Sequence, residues 1–158
     1  MTTDQTTLLA TRSGVALSVR PAGLDDEAQL TAFFDRVSDQ DRRFRFFSAA
    51  EHVSHNQLDP IIHADHLRSE SFLAFDHATG ELVASALLAC DNAFDTGEIA
   101  VSVRSDYKGK GVGWAALDFL ACEAKARGIR RVISIEAREN HAAIELEREK
   151  GFTPEAVE

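Results

Sequence analysis

The chain has 158 residues, 44% of them apolar and 27% charged, with a net charge of −9. That is the size of one domain with one core, and it is too acidic for a general nucleic-acid binder, which needs a basic face. The first residues, MTTDQTTLLATRSG, lack the basic start and long apolar run of a signal peptide, and no apolar run approaches the ~20 residues that cross a bilayer.

A single domain over 1–158 is therefore expected, with residues 1–14 flexible. No membrane or nucleic-acid partner is expected. The two cysteines, Cys90 and Cys122, belong to no CxxC pair, so a reducing cytoplasm is the expected setting. Each lies in an apolar run and reads as core.

The elements follow in chain order. VALSVR (15–20) alternates and stops at Pro21, as a strand does. GLDDEAQLTAFFDRV has acids in its first turn and apolar residues at helical spacing, with Asp25 as the candidate N-cap. SDQDRRFRFFSA reads as a second short helix capped by Ser38 or Asp39, and a third helical stretch covers roughly 54–67 around Pro60.

The period then changes. SFLAFD (71–76) and ELVASALLAC (81–90) read as strands joined by the turn HATG, and GEIAVSVR (97–104) alternates strictly. GWAALDFLACEAKARG is a strong helix stopped by Gly128. RRVISIEA (130–137) is a strand, and NHAAIELEREKG is a last helix stopped by Gly151. The order is strand, two helices or three, three strands, helix, strand, helix. It predicts an α/β (α+β) layer fold with a mixed sheet.

Between the strand at 97–104 and the strong helix lies YKGKGVGW (107–114). Strand, glycine loop and helix start together make an anion site: successive N–H groups converge and the helix terminus adds partial positive charge. Lys108 and Lys110 supply local charge that the acidic chain otherwise lacks. A nucleotide P-loop would need GxxxxGK followed by Ser or Thr, and no such run occurs. GVGWAA matches the dinucleotide fingerprint, with Glu136 as its acid. The fit fails on context, because that turn directly follows the first strand of its fold and needs further βαβ units behind it.

VSVRSDYKGKGVGWAALDFLACEAKARGIRRV resembles the coenzyme A loop of the GNAT acyltransferase superfamily: Arg or Gln, two residues, Gly, one residue, then Gly or Ala, between a strand and a long helix. Here the positions are Lys108, Gly111 and Gly113, with Lys in place of Arg or Gln. NHAAIELEREKGF resembles the closing pattern of the same superfamily through Asn140, Ala143, Ile144, Leu146, Gly151 and Phe152. The N-terminal half, with RP…D, FF, RFFS and SH (Ser54, His55), is most similar to the acetyltransferase domain of bacterial Pat-type protein-lysine acetyltransferases.

The resemblance implies a GNAT fold, with a mixed, mostly antiparallel central sheet flanked by helices, and an acetyl-CoA-dependent N-acetyltransferase. It implies that the pyrophosphate rests on the amides of Gly109, Lys110, Gly111, Val112, Gly113 and Trp114, with Lys108 beside them. The pantetheine arm would pair with the strand edge at Val101, Ser102 and Val103, where a free amide would stabilise the thioester carbonyl. Asn140 would contact the cofactor, or cap the last helix, or both.

An ammonium substrate must lose a proton before it attacks. Pat-type domains place the catalytic acid at the position of Glu98, which is expected to be the general base. Alternation puts Glu98, Ala100 and Ser102 on one strand face and Ile99, Val101 and Val103 on the other, unless a β-bulge intervenes. The Tyr that many GNAT enzymes carry in the last helix is replaced by Glu147, and the only Tyr is Tyr107, in the loop.

The acceptor is expected to be an amine, with a protein lysine as the leading class. A non-catalytic acyl-CoA-binding regulatory module and a small-molecule N-acetyltransferase (polyamine, amino sugar or drug) are the alternatives. His52, His55, His63 and His66 form two HxxH pairs with no Cys nearby; no metal is expected. FRFF (44–47) reads as core or as an acceptor wall. The chain stops at GFTPEAVE, where the superfamily adds one or two strands, so an open sheet edge and a homodimer are expected.

Overall fold

The structure is a computed structural model. It describes residues 6–46, 52–63, 69–91 and 96–134, with side chains except at 43–46 and 133–134. Among these residues six strands form one sheet in the order of the sequence: β1 (Thr7–Ala10), β2 (Ala16–Pro21), β3 (Ser69–Asp76), β4 (Leu82–Cys90), β5 (Thr96–Val103) and β6 (Arg131–Ser134). Neighbours from β1 to β5 are antiparallel, and β5 pairs with β6 in parallel, from Thr96↔Arg131 to Ile99↔Ser134. The parallel step is where the chain crosses over through a helix, as parallel strands require. The mixed, mostly antiparallel sheet is the one the sequence predicts.

One expectation is corrected at the N-terminus. Residues 1–14 were expected to be flexible, yet Thr7–Ala10 forms β1, paired from Thr7↔Val19 to Ala10↔Ala16. The flank of β2 offers ladder donors and acceptors, and a hairpin closes onto it. Thr11 N–H and Oγ1–H both donate to the Val15 carbonyl, at 3.1 and 2.9 Å, and Gly14 takes the left-handed turn at φ 89°.

Among the described residues, four helices flank the sheet. A 3₁₀ turn at Leu24–Asp26 leads into α1 (Glu27–Asp35), followed by α2 (Asp39–Phe46) and α3 (His55–Ile62), while α4 (Val112–Ala126) connects β5 to β6. Asp25 is not the cap expected of it. Asp26 flanks α1, and its carboxylate accepts from Gly23 N–H at 2.8 Å and from the Arg20 guanidinium at 2.8 and 2.9 Å. Of the two candidates for α2 it is Ser38 that caps, accepting from Asp41 N–H. Ser54 and Gln57 form a reciprocal capping box at the start of α3. The last helix expected from NHAAIELEREKG lies outside the described residues.

The two sheet faces carry two cores. On one, Val112, Ala115, Ala116, Leu120 and Ala124 of α4 pack on Leu17, Val19, Phe72, Ala86, Leu88 and Ile99. On the other, Leu30, Phe33 and Phe34 of α1 and Leu58, Ile61 and Ile62 of α3 cover Leu73 and Leu82. Cys90 is half-buried at the edge of the first core. Cys122 is exposed, contrary to its apolar neighbourhood: the buried residues of α4 run through Leu120, Ala121 and Ala124, and Cys122 falls on the outer side of that stripe.

Candidate active site

The sheet delivers the glycine loop at the end of β5, and a polar network fixes its root. Arg104 is 5% exposed. Its guanidinium donates from Nε to Asp106 Oδ1 at 2.7 Å, and from Nη2 to Asp106 Oδ2 at 3.0 Å and Glu81 Oε2 at 3.2 Å. Ser105 N–H and Oγ–H both donate to the carbonyl of Arg36, at the end of α1. Tyr107 O–H donates to the Asp76 carboxylate, at the end of β3. That bond holds the Asp76 carboxyl below its usual range and pushes the Tyr107 phenol above its own. The loop therefore starts from a position tied to α1, β3 and the β3–β4 turn.

Beyond this root, Gly109 and Gly111 take φ of 78° and 81°, values that favour glycine. Gly111 is the N-cap of α4. At Gly113, a Cβ would lie 3.6 Å from Val103 Cγ2, so the first turn of α4 rests close on β5. A loop with two left-handed glycines at the start of a fifteen-residue helix presents backbone N–H groups and the positive helix end together.

The two loop lysines are placed differently. Lys108 Nζ pairs with the Asp41 carboxylate of α2, so part of the charge expected for an anion is directed at α2. Lys110 Nζ lies 5.1 Å from the centre of the Tyr107 ring.

On β5, Ile99, Val101 and Val103 belong to the α4-side core, while Ser102 is buried and Glu98 exposed. The expected division of faces holds. No bulge interrupts β5 against β4, whose register runs unbroken from Cys90↔Gly97 to Ala84↔Val103. The register irregularity lies instead between Ala74 and Phe75, in the β3–β4 ladder. Val101, Ser102 and Val103 have one edge taken by β4, and the described ladder with β6 covers Thr96 to Ile99. Glu98 stands five positions before Val103, roughly 17 Å along the strand.

The histidines of the HxxH pairs go to separate carboxylates: His52 Nδ1 to Asp35 at 2.8 Å, His55 Nδ1 to Glu27 at 2.6 Å, His63 Nδ1 to Asp59 at 3.0 Å. Among the described residues no cluster of three or more His, Cys, Asp or Glu could hold a metal. His66, Glu136, Asn140 and Glu147 lie outside the described residues, as do the side chains of 44–47.

Sequence reasoning missed four partners of the loop. Asp41 and Asp76 lie far from it in the chain and carried no motif. Ser13 and Arg12 sat in a segment expected to be flexible, yet Ser13 Oγ–H donates to the Lys110 carbonyl at 2.6 Å and the Arg12 guanidinium lies 4.3 Å from the Trp114 ring centre.

The sequence profile of the acetyltransferase (GNAT) family matches residues 30–152. The chain belongs to that family. An acetyltransferase of Pseudomonas aeruginosa is 29% identical over 136 residues, covering 85% of this chain and 73% of its own length. The GNAT domain of S. lividans PAT superposes with a TM-score of 0.87 at 26% identity, over 99% of this chain and 92% of that one. A cAMP-binding acyltransferase from Mycobacterium smegmatis shares the fold, with a TM-score of 0.64 at 20% identity, but this chain spans only 44% of it. The GNAT fold accounts for the glycine loop at the β5–α4 junction, and the likeness to a Pat-type domain runs through the whole chain. No helix among the described residues is long and apolar enough to cross a membrane.

Proposed function

We propose that this GNAT protein transfers an acetyl group from acetyl-CoA to an amine, with a protein lysine as the leading acceptor class, as a single domain in the cytoplasm. The observation that carries this reading is the loop at the head of α4. Two glycines there adopt left-handed conformations, and β5, with Glu98 on its exposed face, leads into them.

The residues fit the donor. Left-handed φ at Gly109 and Gly111, and the close seat of Gly113 on Val103, give the backbone of 109–114 the approach a pyrophosphate needs. The strand edge at Val101, Ser102 and Val103 that faces away from β4 would pair with the pantetheine arm, and Asn140 would add a side-chain contact. When bound, acetyl-CoA supplies the activated acetyl thioester. Glu98 takes the proton from the acceptor ammonium, directly or through a water, and a backbone N–H on Val101–Val103 donates to the carbonyl oxygen as it gains charge.

One observation favours a second reading, a regulatory module that binds acyl-CoA without turnover. Tyr107 is engaged with Asp76 and its phenol is held above its usual range, so it does not offer a general acid for the leaving thiolate.

A turnover assay with acetyl-CoA over a panel of lysine peptides, polyamines and amino sugars separates the readings. Turnover on peptides alone supports the lysine class, and turnover on small amines alone replaces it. Saturable binding without turnover supports the module. Glu98→Gln is expected to lower kcat by roughly 10²–10⁴ with little change in donor affinity; wild-type kcat/KM in that variant would remove Glu98 from the mechanism. A homodimer is part of the same proposal, and a clean monomer by sedimentation at high concentration would remove it.

A further inference from the structure

The geometry points to Arg12, on the β1–β2 hairpin turn, as a phosphate-binding residue at the outer rim of the donor loop. The inference rests on the acetyl-CoA reading above and extends the site to a segment outside the strand–loop–helix unit.

Three contacts place the hairpin against the loop. Ser13 Oγ–H donates to the Lys110 carbonyl at 2.6 Å. A Cβ on Gly111 would lie 3.3 Å from the Arg12 backbone nitrogen and 3.6 Å from the Cβ atoms of Arg12 and Thr11, so the glycine admits the turn as well as a ligand. The Arg12 guanidinium stacks 4.3 Å from the centre of the Trp114 ring, in the first turn of α4. The planar peptide turns the Ser13 bond into a positioning device: with the Lys110 carbonyl held toward the hairpin, the Gly111 N–H of the same peptide points to the opposite side.

The charge argument gives Arg12 its role. The chain is acidic overall, at −9, and a coenzyme A molecule carries a pyrophosphate and a 3′-phosphate. Lys108, at the position where the superfamily usually has Arg or Gln, directs its ammonium at Asp41. Lys110 lies over the Tyr107 ring and close enough to Asp76 to help hold that carboxyl low. Arg12 brings a third cation to the loop, exposed and held by Trp114, and a guanidinium offers paired donors that match phosphate oxygens.

Isothermal titration of the full chain with coenzyme A and with 3′-dephospho-coenzyme A tests this, using wild type, Arg12→Gln and Arg12→Lys. Arg12→Gln is expected to weaken coenzyme A about tenfold, the scale of one charge-assisted contact, with Arg12→Lys recovering most of it. A loss confined to coenzyme A assigns the 3′-phosphate, and an equal loss with both ligands assigns the pyrophosphate. Wild-type affinity of Arg12→Gln for both ligands overturns the proposal. So does an equal loss in the Gln and Lys variants, which would show packing on Trp114 rather than charge. A wild-type chain that binds neither ligand overturns the donor reading itself. Arg12 is exposed, so both variants should melt near the wild-type temperature, and that measurement accompanies the titrations.

Discussion

At the scale of single residues, Tyr107 shows how a side chain in a functional loop can serve position rather than chemistry. Its hydroxyl donates to Asp76, its ring is flanked by Arg104 at 4.9 Å and Lys110 at 5.1 Å, and its phenol is held in the protonated form. Tyr107→Phe leaves a carboxylate short of one donor, which costs about 1 kcal/mol. The melting temperature should fall while kcat stays near wild type. A fall in kcat with an unchanged melting temperature would instead make Tyr107 an acid in the reaction. Glu98 presents the opposite case, exposed on its strand, and the Glu98→Gln assay in turnover decides its role.

At the scale of elements, α3 shows how a cap and an apolar stripe set a helix. Only eight residues long, it is too short to persist alone, and it gains its start from the Ser54–Gln57 box and its hold from Leu58, Ile61 and Ile62. Ser54→Ala is expected to lower the free energy of unfolding by about 1 kcal/mol in denaturant titration. Unchanged stability would show that burial alone fixes α3. On the other face of the sheet, α4 starts without a side-chain cap. Gly111 occupies its N-cap in the left-handed conformation, which keeps the first N–H groups of the helix available for an anion.

At the scale of the molecule, carboxylates held by two ion pairs and by the Tyr107 hydroxyl give the stability an acid limb. Asp26, held by Arg20, Asp76, held by Tyr107, and Asp106, held by Arg104, all titrate below the ordinary value of 3.8. A carboxylate depressed in the folded state stabilises fully above its unfolded pKa, and that contribution is lost as pH falls through the lower folded values. Denaturant titrations are therefore expected to show stability falling from just below pH 4 downward. Asp26→Asn should flatten that slope. An identical slope in wild type and variant would remove Asp26 from the acid limb.

Local pattern determined much of this protein. Alternation in GEIAVSVR set the two faces of β5, the helical stripe of WAALDFLACEA set α4, and the glycines of YKGKGVGW marked a loop with left-handed backbone at Gly109 and Gly111. These features depend on neighbours in the chain, whose geometry repeats with the period of the element. Tertiary structure decided what depends on distant partners: that Thr7–Ala10 joins the sheet, that Cys122 faces outward, that Lys108 turns to Asp41 and Tyr107 to Asp76, and that Arg12 comes to rest on Trp114. A side chain's charge is written in the sequence, but the partner that claims it is chosen by packing of segments tens of residues apart.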